Sequence, residues 1–182
     1  MRRLLLLRHA KSDWAAGKGG DDHERPLSAR GRKAAPRIGA YMRDKGYIPN
    51  LVLCSTARRT RETLDLLMPF LSPLPKVRYG RELYLAEWPA LLEQVHAVPK
   101  SSASLLVIGH NPGLERLAVA LALQPQSPGE QARAERMAEK FSAGALAVFD
   151  IATRDWRVVE AGEGRLIDFV RPKDLALDEN GE

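Results

Sequence analysis

The chain has 182 residues, enough to bury one continuous core in one domain spanning 1–182. Its 45% hydrophobic and 28% charged content is that of an ordinary soluble globular protein and excludes a disordered chain. The net charge of +5 admits an anionic partner, but the 28 Lys and Arg form no tail or block, which argues against nucleic acid. A single cysteine, Cys54, excludes an internal disulfide and a paired-cysteine metal knuckle, and suits a reducing cytoplasm. The start, Met1-Arg2-Arg3 followed by four leucines, stops at Arg8, too early for a secretory signal, and no stretch is long enough to span a membrane.

Leu4 to Leu7 reads as a short, fully buried strand of the parallel-sheet kind, and Arg8 and His9 arrive at its C-terminal end. In open α/β sheets ligands bind just outside those ends. The polar stretch from Ser12 to Glu24 is a loop in a position that often carries function. Arg25-Pro26-Leu27-Ser28 then opens a helix with Ser28 as N-cap. Ala34, Ile38, Tyr41 and Met42 form its apolar stripe, Pro36 either kinks it or lies in its first turns, and Gly46 ends it. Leu51 to Cys54 is a second buried strand, and a helix follows from Ala57 to about Leu67. Its first turns carry Arg58, Arg59 and Arg61, although a helix N-terminus favours acids. Either this is a solvated basic face, or the guanidinium groups and the helix end bind an anion together.

Val77 to Tyr79 reads as a third strand, and Pro89 to Val95 as a short helix with Leu91, Leu92 and Val95 inward. Leu105 to Ile108 is a fourth strand that again delivers a histidine, His110, in a strand-to-helix turn before Pro112; that helix reaches about Leu123. The polar segment 125–140 is an exposed helix or excursion. Residues 145–151 and 156–159 read as an edge hairpin turning at 152–155, and the tail after Phe169 reads as peripheral. Strands alternating with helices predict a three-layer α/β/α domain with a mostly parallel sheet.

Three strand ends thus offer Arg8-His9, Arg58-Arg59 and His110. No cysteine or third histidine nearby completes a zinc set, so a metal-free, cofactor-free site is expected. Arginines bind phosphoryl oxygens bidentately, and they keep a neighbouring imidazole neutral by repelling its protonated form. Neutral imidazole is nucleophilic. One histidine can attack phosphorus while the other donates a hydrogen bond to the phosphoryl oxygens.

The stretch Leu7-Arg8-His9-Ala10-Lys11-Ser12-Asp13-Trp14 resembles the RHG-x-S-x-W signature of the histidine phosphatase, or phosphoglycerate mutase-like, superfamily. Ser55 with Arg59-x-x-x-Thr63 is similar to its second motif, and Gly109-His110-Asn111-Pro112 to its third. Arg25-Pro26-Leu27-Ser28, Gly113-Leu114-Glu115 and Gly144-Ala145-Leu146 bring the chain nearest to the SixA-like phosphohistidine phosphatases. The resemblance runs in order from about residue 3 to 171. It implies a phosphoglycerate mutase-like fold, His9 as the phosphorylated nucleophile, and Arg8, Arg59 and His110 as the phosphate pocket. Ser12 of the first motif joins them as a substrate-binding residue, and Arg58 is left as an outer or surface residue.

Two departures from the family pattern stand out. Ala10 replaces the usual glycine, and Ala15 replaces the asparagine that mutases carry after their Trp, which argues against mutase activity. Larger relatives take a general acid from a glutamate after the third strand. Glu82 lies in roughly that place, with Asp21, Asp22 and Glu115 as weaker candidates and His23 and His96 as surface residues. The expected activity is phosphate release from a phosphohistidine-bearing protein by a cytoplasmic enzyme, with a monomer favoured. A small-molecule phosphomonoesterase on the same site is the alternative enzyme. A catalytically silent phosphate-binding module is the alternative without chemistry.

Overall fold

The computed structural model describes residues 1–16 and 19–175. Six strands form one sheet: β1 (Arg2–Arg8), β2 (Leu51–Ser55), β3 (Lys76–Gly80), β4 (Ser104–Gly109), β5 (Leu146–Ile151) and β6 (Gly164–Val170). Their order across the sheet is β3-β2-β4-β1-β5-β6. The first four run parallel, whereas β5 is antiparallel to both β1 and β6. Strand β4 is inserted between β1 and β2, with Leu7 opposite Ile108 and Cys54 opposite Ile108. This insertion sets the C-terminal ends of three strands side by side.

Strand periodicity sorts the core into two layers. Leu4, Leu6, Leu53, Leu105 and Val107 face α3 (Trp88–His96), α4 (Gly113–Leu121) and α5 (Pro128–Glu139). Leu5, Leu7, Val52, Leu106 and Ile108 face α1 (Ala29–Asp44) and α2 (Arg58–Leu67). Leu4 to Leu7 are all fully buried, as a central strand covered on both faces requires. The result is the expected α/β/α sandwich. Ser28 caps α1 by accepting from the Gly31 amide, and that helix runs through Pro36 to Asp44. The polar segment after residue 125 forms α5, which buries Met137 and pairs Glu130 with Arg165.

The predicted edge hairpin is corrected. The partner of β5 is β6, at Gly164–Val170, while Trp156–Val158 is a single 3-10 turn. Trp156 and Val159 are apolar because they plug the core rather than pair in the sheet. Trp156 is fully buried, and its indole Nε1–H donates to Ser102 O. The tail after Phe169 is not peripheral either: Val170 ends β6, Arg171 is buried, and α6 (Pro172–Leu175) follows. Both His23 and His96 are half-buried, the latter with Nε2 bonded to Val159 O. No described helix is long and apolar enough to cross a membrane.

Candidate active site

His9 follows β1 and is anchored from both neighbouring strands. Its amide donates to Gly109 O, and the Gly144 amide donates to the carbonyls of Arg8 and His9. Gly144 has φ +77°, a left-handed conformation that an L side chain rarely adopts, and a Cβ there would lie 2.7 Å from Pro172 Cγ. The Ala10 amide donates to Thr63 Oγ1, whose hydroxyl donates to Arg59 O at 2.6 Å. The four-residue spacing of Arg59 and Thr63 therefore ties the β1 loop to the first turns of α2. That spacing stacks the two side chains on one helix face.

The His9 ring is buried. Its Nδ1 lies 2.7 Å from Ala10 O, which can only accept, so Nδ1 carries the proton and the lone pair sits on Nε2. Arg59 Nε–H points at that Nε2 from 3.3 Å. Desolvation, reinforced by the charges of Arg59, Arg8 and Arg25, pushes the His9 pKa down to about 3. His110 follows β4, and its ring centroid is 5.3 Å from that of His9. Its Nε2 is 2.8 Å from Ser55 Oγ, whereas its buried Nδ1 has no partner among the described residues. Burial, followed by His9 and Arg59, lowers its pKa to about 2. Both rings are neutral near pH 7.

The three arginines of α2 divide by helix geometry, because neighbours in sequence lie on different faces. Arg58 is exposed and paired to Glu62 at 2.7 Å, and Arg61 donates to Thr56 O. Arg59, 1% exposed, turns into the site and donates from Nη1 to Asp22 O and from Nη2 to Asp22 Oδ2. On the other side Arg8 donates to Phe141 O through Nη1, while its buried Nε is unpartnered; burial lowers its pKa. Ser12 is buried and its hydroxyl accepts from Arg25 Nη1, and Arg25 stacks on Trp14. Arg8, His9, Arg59 and His110 are thus brought together, with Ser12 one contact further out.

Glu82 is not brought in. It stands in the 3-10 turn after β3, exposed, with its carboxylate against Gly80: a Cβ on that glycine would lie 2.4 Å from Oε1. The carboxylate that does reach the cluster is Asp22. It accepts from Arg59, from Arg25 Nε and from the Tyr84 hydroxyl at 2.6 Å. Burial opposes its ionisation, but Tyr84, Arg59 and Arg25 outweigh it and hold the pKa below the usual carboxylate value. Tyr84 packs edge-on to His110 at 5.4 Å and beneath Arg59 at 5.8 Å. Its place was not evident in the sequence, since a tyrosine after a short edge strand carries no signal. Glu115 binds the Asn111 side chain and the Phe141 amide behind Arg8, and Asp21 caps the 3-10 turn of Asp22–Glu24.

Two neutral imidazoles among desolvated arginines at the parallel strand ends make a pocket whose charge and donors suit a phosphoryl group. A family profile for the histidine phosphatase superfamily, branch 1, matches residues 4–105. The chain belongs to that superfamily and is a phosphatase. It is 36% identical over 170 residues to an uncharacterized protein of Mycobacterium tuberculosis, covering 92% of this chain and 100% of that one. Among solved structures, it is similar to a candidate phosphohistidine phosphatase SixA from Nakamurella multipartitia. That match has 31% identity and a TM-score of 0.77 and covers 94% of this chain and 96% of the other. A second candidate SixA, from Agrobacterium tumefaciens, matches with 32% identity and a TM-score of 0.76 over 94% and 98% of the two chains.

Proposed function

We propose that the chain acts as one metal-independent phosphatase domain that passes a phosphoryl group through His9, with a phosphohistidine-bearing protein as its substrate. The observation that carries this reading is the fixed tautomer of His9, with Nδ1–H on Ala10 O and the Nε2 lone pair among guanidinium groups. In the first step Nε2 forms an N–P bond as the bond from phosphorus to the substrate imidazole breaks, and that imidazole takes a proton from solvent. In the second, water attacks phosphorus, the N–P bond to His9 breaks, and phosphate leaves with neutral His9 restored. Arg8 and Arg59 neutralise the equatorial oxygens in both steps. With the Ser55 hydroxyl donating to His110 Nε2, the proton of His110 sits on its unpartnered Nδ1, a donor for the same oxygens.

Asp22, held ionised, serves to orient Arg59 and Arg25 rather than to donate a proton. Among the described residues no group of three or more His, Cys, Asp or Glu side chains is placed to hold a metal ion. Support for the protein substrate comes from the two SixA neighbours at 31% and 32% identity. The test is turnover of a histidine-phosphorylated protein with a rapid quench at neutral pH and mass spectrometry. A phosphoryl adduct on His9, no turnover in His9→Ala, and full activity after exhaustive chelation are expected. An adduct elsewhere, or activity restored only by a divalent ion, would overturn the assignment.

A further inference from the structure

The cations of this chain are not evenly spread over its surface. On the β5–β6 side of His9 lies a cleft of about 420 Å³ in which seven of fourteen lining residues are Arg or Lys and none is Asp or Glu. A second hollow of about 370 Å³ continues it along α1. The two share Arg30, Ala34, Pro172 and Lys173. The groove so formed starts at the nucleophile and follows α1 to Arg37; the seven residues from Arg30 rise about 10 Å. Lys11, Arg30, Lys33, Lys140 and Lys173 along it are exposed, and none forms an ion pair with a described carboxylate. The nearby acids are engaged: Asp174 binds Arg136 and Arg171, and Glu139 reaches Arg171.

Like charges gathered along one groove repel one another, and an anionic ligand laid across them would relieve that repulsion. Arg8, Arg59 and His110 already supply the contacts that one phosphoryl group needs. An elongated row of cations beyond it fits an extended polyanion rather than a second single phosphate. We propose that this groove binds an acidic segment of the substrate protein, carboxylates flanking its phosphohistidine. The proposal rests on the phosphohistidine reading above and names the surface chemistry of that partner.

The experiment compares two synthetic peptides, each phosphorylated on one histidine, with Glu or with Gln in the flanking positions. Both are assayed on wild type and on the triple variant Arg30→Glu, Lys33→Glu, Lys173→Glu, with p-nitrophenyl phosphate as a reference substrate. An acid at Arg30 sits in the first turn of α1, where the helix dipole favours it, so the fold is retained. Wild type should prefer the Glu peptide by about tenfold in kcat/KM at low salt, as expected when several exposed pairs each contribute modestly. The preference should shrink as salt shortens the screening length and disappear in the triple variant, with aryl phosphate turnover unchanged. Equal rates for the two peptides, or a preference that survives charge reversal, would overturn the proposal.

A binding arm separates this failure from that of the substrate reading. The unphosphorylated Glu peptide, followed by fluorescence anisotropy, should bind wild type and not the triple variant even if neither phosphopeptide turns over. Displacement of that peptide by inorganic tripolyphosphate or a thymidine oligonucleotide, with no advantage of Glu over Gln, would assign the groove to a phosphate chain and overturn it as well.

Discussion

His9 has two sides of opposite character. Toward β2 and β4 the site is closed: Arg59 is 1% exposed, His110 is 2% exposed, and nearly every donor there has one defined acceptor. Toward β5 and β6 it opens into a groove of lysines and arginines in water. The same residue type behaves differently on the two sides. Arg59 is desolvated, locked by Asp22 and aimed at His9, so its charge acts at low dielectric on whatever Nε2 holds. Lys33 or Lys173 in the groove is exposed and screened by solvent, and its charge acts collectively with its neighbours. On the readings proposed above, chemistry belongs to the first arrangement and recognition to the second.

The sharpest way to break this contrast is within α2, where two adjacent arginines fall on its two kinds of surface. Arg59→Ala should lower kcat on a phosphohistidine protein by about 10²-fold or more, as loss of a preorganised donor to a developing charge does. Arg58→Ala removes an exposed pair with Glu62 and should cost only a few-fold. Steady-state rates of the two variants measure this. Equal losses would mean that burial and orientation do not decide which guanidinium reacts.

Much of the closed side could be read in the sequence. Its histidines and Arg8 ride on strands or strand ends whose apolar runs are legible, and Arg59 sits a fixed four residues before Thr63. Central strands buried on both faces announce themselves by continuous Leu and Val, so the apolar runs of β1, β2 and β4 mark those strands to within a residue or two. The second arm of the β5 hairpin lies beyond the segment whose pattern suggests it, because Trp156 and Val159 mimic a strand while serving as a core plug. In β6, by contrast, Arg165 and Asp168 break the apolar run because that strand forms the sheet edge. The contacts of Asp22 and Tyr84 join residues 62 positions apart through a loop and an edge strand, and no local pattern encodes such a meeting. The groove was invisible as well, since it gathers scattered cations from the β1 loop, α1 and the segment after β6.

A second difference between the sides is their response to acid. His9 and His110, folded, have pKa values of about 3 and about 2, against about 6.5 in the unfolded chain. The unfolded state therefore binds more protons throughout that window, and stability falls as pH drops below about 6.5. Each histidine should cost about 2 kcal/mol between neutral pH and about pH 5. Urea unfolding at the two pH values measures the loss, and His110→Asn, which cannot titrate, should show about half of it. Activity should behave differently: the nucleophile stays neutral, so kcat/KM should have no acid limb near 6.5. An inflection there would show that His9 is solvated and that the closed side is more open than its burial implies.

The smallest expected effect concerns the carboxylate that belongs to neither side. Glu82 is exposed and turned against Gly80, with no hydrogen bond to a histidine or arginine of the site. A committed general acid typically contributes 10²–10⁴-fold. Glu82→Gln should instead leave phosphohistidine hydrolysis within about tenfold of wild type, because a leaving imidazole is far less basic than an alkoxide and needs little proton transfer. Alkyl phosphates should be slow in both proteins, and aryl phosphates intermediate. Rates across aryl phosphates of graded leaving-group pKa make the comparison quantitative. Parallel slopes for wild type and Glu82→Gln would leave the proton of the leaving group to solvent, delivered through the open side. A flat dependence in wild type that becomes steep in Glu82→Gln would show that the turn after β3 moves to bring the acid to the leaving group. The site would then be a phosphomonoesterase first, and the division of labour around His9 would include a third, mobile element.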